Sequence, residues 1–241
     1  ISRREPMLLD QCRRLLTIPL KRRTDRPEIH YLDKGELHAV FDAVDRSTPR
    51  GRRDYAILLF MYNTGARVQE TADVQVSWLT LGRPFKVELL GKGRKWRTCP
   101  LWDGTARVLK DLATERGPKL GDDAHLFTSR LARPMSRSAI ADVVRKYAEL
   151  AARHVPSLRK KPVTPHTLRH TTAMHLLQSG VEVNVIRSWL GHVSIATTNH
   201  YLEIDLKMKA KALEACRISV PRRRAGRWNS KPDILAWLEG L

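Results

Sequence analysis

At 241 residues with 42% hydrophobic content, the chain is long enough to bury one substantial core and a small appendage. Its 44 Lys plus Arg against 25 Asp plus Glu give a net charge of +19 and a pI near 10.5, which predicts attraction to a polyanion. The longest apolar stretch, 56–62, is too short to cross a bilayer, and Cys12, Cys99 and Cys216 are too scattered for a disulfide framework or a thiolate metal site. A role outside the membrane, in a reducing cytosolic setting, is expected. In chain order, Asp33-Lys34-Gly35-Glu36 has the form of a capping box and predicts a helix running to Val44. A second helix containing the apolar segment 55–62 ends near Gly65, and Arg67 stands at the start of the next, where backbone N–H groups favour an anion. Residues 78–100 carry the strand signals, with 89–97 forming a hairpin about a Gly-Lys-Gly turn. Helices are predicted at 105–116, 136–152, 166–179 and 183–190, the last closed by Gly191. After a basic stretch at 222–227, residues 232–241 encode a short amphipathic helix with Ile234, Leu235, Trp237, Leu238 and Leu241 as its apolar set. The expected fold is mainly α with a small antiparallel β-sheet, an α+β arrangement.

The chemistry-bearing residues concentrate between His166 and Tyr201. In His166-Thr167-Leu168-Arg169-His170 the first His and the Arg lie three apart, so on a helix they project from one face, where proton transfer and anion binding share a site. Trp189-Leu190-Gly191-His192 reads as a helix end that aims His192 away from the axis. Tyr201 follows nine residues later, and its phenol is a useful nucleophile only if its proton is removed and the phosphate it attacks is neutralised. Two upstream elements supply cations: Arg67 in Thr64-Gly65-Ala66-Arg67-Val68-Gln69-Glu70, and Lys92 at the tip of Gly91-Lys92-Gly93-Arg94-Lys95-Trp96-Arg97. By themselves these residues define a cationic phosphate pocket beside a tyrosine. His166 and His170 are spaced like paired zinc ligands, but the Glu of H-E-x-x-H is missing and Arg169 would repel a cation, so no metal site is assigned and His170 is read as a buried structural residue. The hairpin cations alone would suit a solvated basic face. Tyr31, Tyr55, Tyr62 and Tyr147 are read as packing residues.

Arg67, Lys92, His166 with Arg169, His192 and Tyr201 occur in the order and local contexts of the tyrosine recombinase (phage integrase) family, which the chain resembles over nearly its whole length. Any one motif occurs by chance; the ordered set is specific. The resemblance implies a site-specific DNA recombinase in which Tyr201 attacks a scissile phosphate, leaving a 3′-phosphotyrosine link and a free 5′-hydroxyl that rejoins by the reverse attack. Neither metal, ATP nor another cofactor is implied. Arg67 and Arg169 are assigned to clamp the phosphate, a task suited to the guanidinium fork. Lys92 is assigned as general acid to the departing oxygen, His166 as general base and His192 as a hydrogen-bond donor to the phosphate. Lys95 competes with Lys92 for the acid role, and the family pattern G-K-G-x-K-x-R favours Lys92. Glu70, one helical turn from Arg67, is assigned an orienting role.

The implied partners are double-stranded DNA and further copies of the chain, assembled as a tetramer on DNA, in a cytoplasmic, nucleoid-associated setting. Residues 1–32 are expected to be the remnant of an N-terminal core-binding domain with a basic linker, 33–220 the catalytic domain, and 221–241 a tail whose helix docks on a neighbouring protomer or folds back. Glu203 stands where many members carry a His two positions after the nucleophile. Two other readings are carried forward: DNA relaxation of the type IB topoisomerase kind, with closely similar chemistry, and a non-catalytic DNA-binding protein that retains the fold.

Overall fold

The computed structural model describes residues 30–91, 93–117 and 122–191. The expectations for residues 1–29, Lys92, His192, Tyr201 and the helix at 232–241 therefore lie outside the described residues. The chain divides into two compact units, Ile1–Ala173 and Met174–Leu241.

Among the described residues, the first helix of the first unit is α1 (Lys34–Asp42), started by the expected capping box: Asp33 accepts the Glu36 N–H at 2.8 Å, and the Glu36 carboxylate accepts the Asp33 N–H at 2.9 Å. The same carboxylate receives Ser157 Oγ and Lys161 Nζ, each at 2.6 Å, so the cap also ties α1 to the 3₁₀ turn Pro156–Lys160. Helix α2 (Pro49–Thr64) begins with Thr48 accepting the Gly51 N–H, carries Pro49 in its first turn and ends at Gly65. Its Ala56, Ile57, Leu58, Phe60 and Met61 are buried on all sides, as a helix apolar around its circumference must be. Helices α3 (Val68–Asp73), α4 (Asp103–Arg116) and α5 (Arg137–Ala151, capped by Ser136) complete the layer around it. Helix α5 packs on α1, α2 and α3, and α4 on α2. Phe60 meets Phe127 edge-on with ring centroids 5.5 Å apart.

Strands β1 (Leu79–Thr80), β2 (Lys86–Leu90) and β3 (Trp96–Pro100) form one antiparallel sheet in sequence order. The expected hairpin is present: Gly91 N–H donates to the Lys95 carbonyl at 2.9 Å, and the register pairs Leu89 with Arg97 and Val87 with Cys99. Strand alternation puts those four side chains on one face, and Val87, Leu89 and Cys99 are fully buried.

Helix α6 (Pro165–Gln178) starts at a reciprocal pair in which Thr164 and Thr167 hydroxyls each accept the other's N–H. Within the first unit its inner face mixes the fully buried Leu168 and Ala173 with Thr167, Arg169, Thr171 and Thr172. Thr172 Oγ1 donates to the Tyr62 carbonyl at 2.7 Å and Thr171 Oγ1 accepts the Leu32 N–H at 2.9 Å, so hydrogen bonds fasten the helix. His170 is half-buried rather than buried, stacked on His166 with centroids 6.4 Å apart, because its side of α6 faces outward with His166.

In the second unit the described residues are the end of α6, a turn through Gly180, and helix α7 (Val183–Leu190). Ile186 and Leu190 are buried, and Gly191 closes the helix at φ 62°, as its position predicted. No helix among the described residues is long and apolar enough to cross a membrane.

Candidate active site

The site is built on the turn that joins α2 to α3. Gly65 adopts φ 58°, a conformation that costs a side chain but not a glycine, and its N–H closes α2 on the Met61 carbonyl. The turn then delivers Arg67 as the residue before α3, with extended backbone and its side chain 29% exposed. From α6, the buried Arg169 reaches the same turn and donates Nη1–H to the Gly65 carbonyl at 2.6 Å. That carbonyl belongs to the C-terminal end of a 16-residue helix, where the helix dipole favours a cation. Two residues 102 positions apart in sequence, Arg67 and Arg169, are thus anchored to one four-residue turn.

Glu70 orients Arg67 more firmly than a single turn of helix would. Its Oε1 accepts Arg67 Nη1–H at 2.8 Å, while Oε2 accepts the Arg67 backbone N–H at 2.8 Å and Arg97 Nη2–H at 2.7 Å. Burial by itself would push the Glu70 carboxyl up. The hydrogen bond and charge of Arg97, joined by those of Arg67, outweigh it and hold the group below the usual carboxylate range. Burial opposes the Arg97 charge and Glu70 restores it, so the pair is fully ionised. Arg97 was not singled out by sequence reasoning, although it is the last residue of the G-K-G-x-K-x-R pattern; that final Arg was the available signal. Cys99 lies just behind, its Sγ 3.9 Å from the Thr64 carbonyl and its thiol pushed up by burial.

His166 sits one turn before Arg169 on α6 and is exposed. Lys92 is outside the described residues, but its neighbours are not: Gly91 closes the hairpin, and Gly93 and Arg94 turn its tip at φ 77° and 56°. The rival Lys95 is exposed beside it. The structure therefore gathers Arg67, Glu70 and Arg169 at one turn, with Arg97 added, and places His166 on the helix that carries Arg169. His192 and Tyr201 lie outside the described residues.

A second cationic feature stands apart from these residues. Arg50, Arg53, Arg130, Arg133 and Lys146 line a cleft of about 1160 Å3 into which the N-terminal turns of α2 and α5 also open. Neither helix carries an acidic residue in its first turn, and the cleft's carboxylates, Glu115 and Asp142, are paired with Arg52 and Arg145. Helix termini and side chains therefore present the same sign.

Residues 30–208 match the phage integrase family. The chain belongs to that family. A putative integrase/recombinase of Sinorhizobium fredii is 39% identical over 231 residues, covering 96% of this chain and 68% of the relative. Tyrosine recombinase XerD of Listeria innocua is 32% identical across 77% of this chain and 60% of its own length. Among solved structures, XerA recombinase superposes with a TM-score of 0.65 at 27% identity, covering 80% of this chain and 67% of that one. The chain thus spans about 60% of the length of the Listeria relative. The mainly helical architecture with its three-stranded antiparallel sheet is that of the tyrosine recombinase catalytic domain.

Proposed function

We propose that this member of the phage integrase family is the catalytic portion of a site-specific DNA recombinase, of integrase, transposon or Xer type, that cuts and rejoins duplex DNA through a 3′-phosphotyrosine on Tyr201. The observation that carries the reading is the common anchoring of Arg67 and Arg169 at the α2–α3 turn. Two preoriented guanidiniums suit the charge that builds on the non-bridging oxygens of a phosphodiester in its transition state, and fixed donors lower that barrier without reorganising. Arg67 and Arg169 clamp the scissile phosphate, and Glu70 holds Arg67 in line. Lys92 protonates the departing 5′-oxygen, His166 takes the Tyr201 proton and His192 donates to the phosphate. The ester to Tyr201 conserves the energy of the broken bond, so rejoining by a 5′-hydroxyl needs neither ATP nor metal.

The basic cleft between α2 and α5 supports a duplex partner, since cations that are not engaged in the chemistry set affinity and salt dependence. In this reading 33–220 form the catalytic domain, 1–32 the end of a core-binding domain and its linker, and 221–241 a tail whose helix docks on a neighbouring protomer or folds back, with the chain acting as a tetramer on DNA. The setting is cytoplasmic and nucleoid-associated.

The test is incubation with nicked suicide duplexes from the DNA flanking the gene, beside Tyr201→Phe, followed by denaturing electrophoresis. An adduct that disappears in Tyr201→Phe is expected. An adduct persisting in the variant overturns the nucleophile assignment, and relaxation of plasmids without strand exchange moves the reading to a topoisomerase.

A further inference from the structure

Arg97 occupies an inward position of β3, beside Cys99 and opposite Leu89 on a sheet face that is otherwise apolar and fully buried. A cation there requires a partner, and Glu70 supplies one at 2.7 Å. The partnership has an electrostatic consequence for the neighbouring arginine. A carboxylate devoted to Arg67 alone would cancel the charge that has to meet a phosphate. Glu70 instead divides its oxygens, Oε1 to Arg67 and Oε2 to Arg97 and the Arg67 backbone. Two guanidiniums and one carboxylate leave the cluster at +1. The cluster also lies under the hairpin turn: a Cβ on Gly91 would come within 3.4 Å of Glu70 Oε1 and 3.6 Å of Arg97 Nη1. Gly91 is the residue next to Lys92.

We propose that Arg97 is a positioning residue for strand cleavage: by sharing Glu70 it leaves Arg67 positive toward the scissile phosphate. The proposal rests on the recombinase reading above. Arg97 touches no reacting atom; it acts through Glu70.

The test uses the full chain as wild type, Arg97→Met, Arg97→Lys, Glu70→Gln and the Arg97→Met/Glu70→Gln double variant. Four quantities are measured: the single-turnover rate of adduct formation at saturating nicked duplex, duplex affinity, inorganic phosphate affinity by titration calorimetry, and the thermal midpoint. Arg97→Met is expected to slow adduct formation roughly thirtyfold while duplex affinity stays within about threefold, the signature of an interaction needed in the transition state rather than for binding. Phosphate affinity should fall by about tenfold, because Glu70 then neutralises Arg67 alone. Arg97→Lys restores part of both, keeping the charge without the fork. The decisive result is that the double variant is faster than Arg97→Met, since removing the unshared carboxylate returns the charge of Arg67. A folded Arg97→Met with unchanged rate and unchanged phosphate affinity overturns the proposal, as does a double variant slower than Arg97→Met. Should Arg97→Met not fold, Glu70→Gln and the double variant decide: without the carboxylate Arg97 has nothing to share, so their rates should agree within about threefold, and a larger gap overturns the proposal. A wild type that forms no adduct but shows the expected order of phosphate affinities sinks the recombinase reading, and with it the role in cleavage, and leaves standing only the sharing of Glu70 between Arg67 and Arg97.

Discussion

At the α2–α3 turn, Arg67 and Arg97 are both held by Glu70, and Arg97 is 9% exposed; in the cleft between the N-termini of α2 and α5, Arg130, Arg133 and Lys146 stand in solvent. The first arrangement fixes direction. Glu70 accepts from Arg67 Nη1 and from Arg97 Nη2, so the two side chains have little conformational freedom to lose when a phosphate arrives. The second fixes only sign and proximity, which is what attraction to a polyanion requires and what salt screens. Basic side chains thus serve in two physically different ways within one unit of the chain.

This contrast can be broken most severely at Arg169. Arg169→Lys should lower the rate of covalent adduct formation by roughly a thousandfold, as loss of a preorganised transition-state donor does, while duplex affinity measured by fluorescence anisotropy changes little. Next in size is Glu70→Ala, which strands the buried Arg97 charge on the sheet's apolar face. It should cost about 3 kcal/mol in urea unfolding, far more than a surface pair would. The cleft should behave in the opposite manner. Arg130→Ala with Arg133→Ala should leave stability unchanged and reduce the slope of log affinity against log salt by about 2 in magnitude, with the single-turnover rate at saturating duplex preserved.

The smallest effect sharpens the comparison by adding a pair without a role in the site. Glu36 is also held below its ordinary value of 4.5: burial would raise it, and Lys161, Ser157 and the Asp33 N–H overcome that. A carboxyl with a lowered folded value binds fewer protons folded than unfolded. Its stabilising contribution is therefore present above pH 4.5 and is lost as pH falls through the folded value. Lys161→Met should cost about 1 kcal/mol at neutral pH, and the difference from wild type should shrink on acidification below that point, as read by thermal midpoints. A difference independent of pH would show that Lys161 acts through packing of its methylenes alone.

Much of the fold was legible because local rules dictate it. The capping box at Asp33 and Glu36, the left-handed stops at Gly65 and Gly191, and the hairpin about Gly91 each follow from residues within one turn of one another. Helix boundaries matched within two residues for the same reason. Arg67, Glu70 and Arg169 were legible as chemistry from their motifs. Arg97 was not, because in a run of Lys and Arg around the hairpin tip nothing local distinguishes the one cation that strand alternation turns inward. The cleft was equally hidden, since its cations come from residues 50–53, 130–133 and 146, which the chain order separates.

The sequence by itself determined which residues could close a helix, cap it or bear the charge for phosphate chemistry, since those properties depend on side-chain type and on neighbours one turn away. Tertiary structure decided which of those charges are oriented and which are merely present. That choice depends on a carboxylate and a carbonyl contributed by distant segments: Glu70 meeting Arg97 across 27 positions, and Gly65 meeting Arg169 across 104. A cation's chemistry is fixed by its covalent structure, but its direction is set by its acceptors.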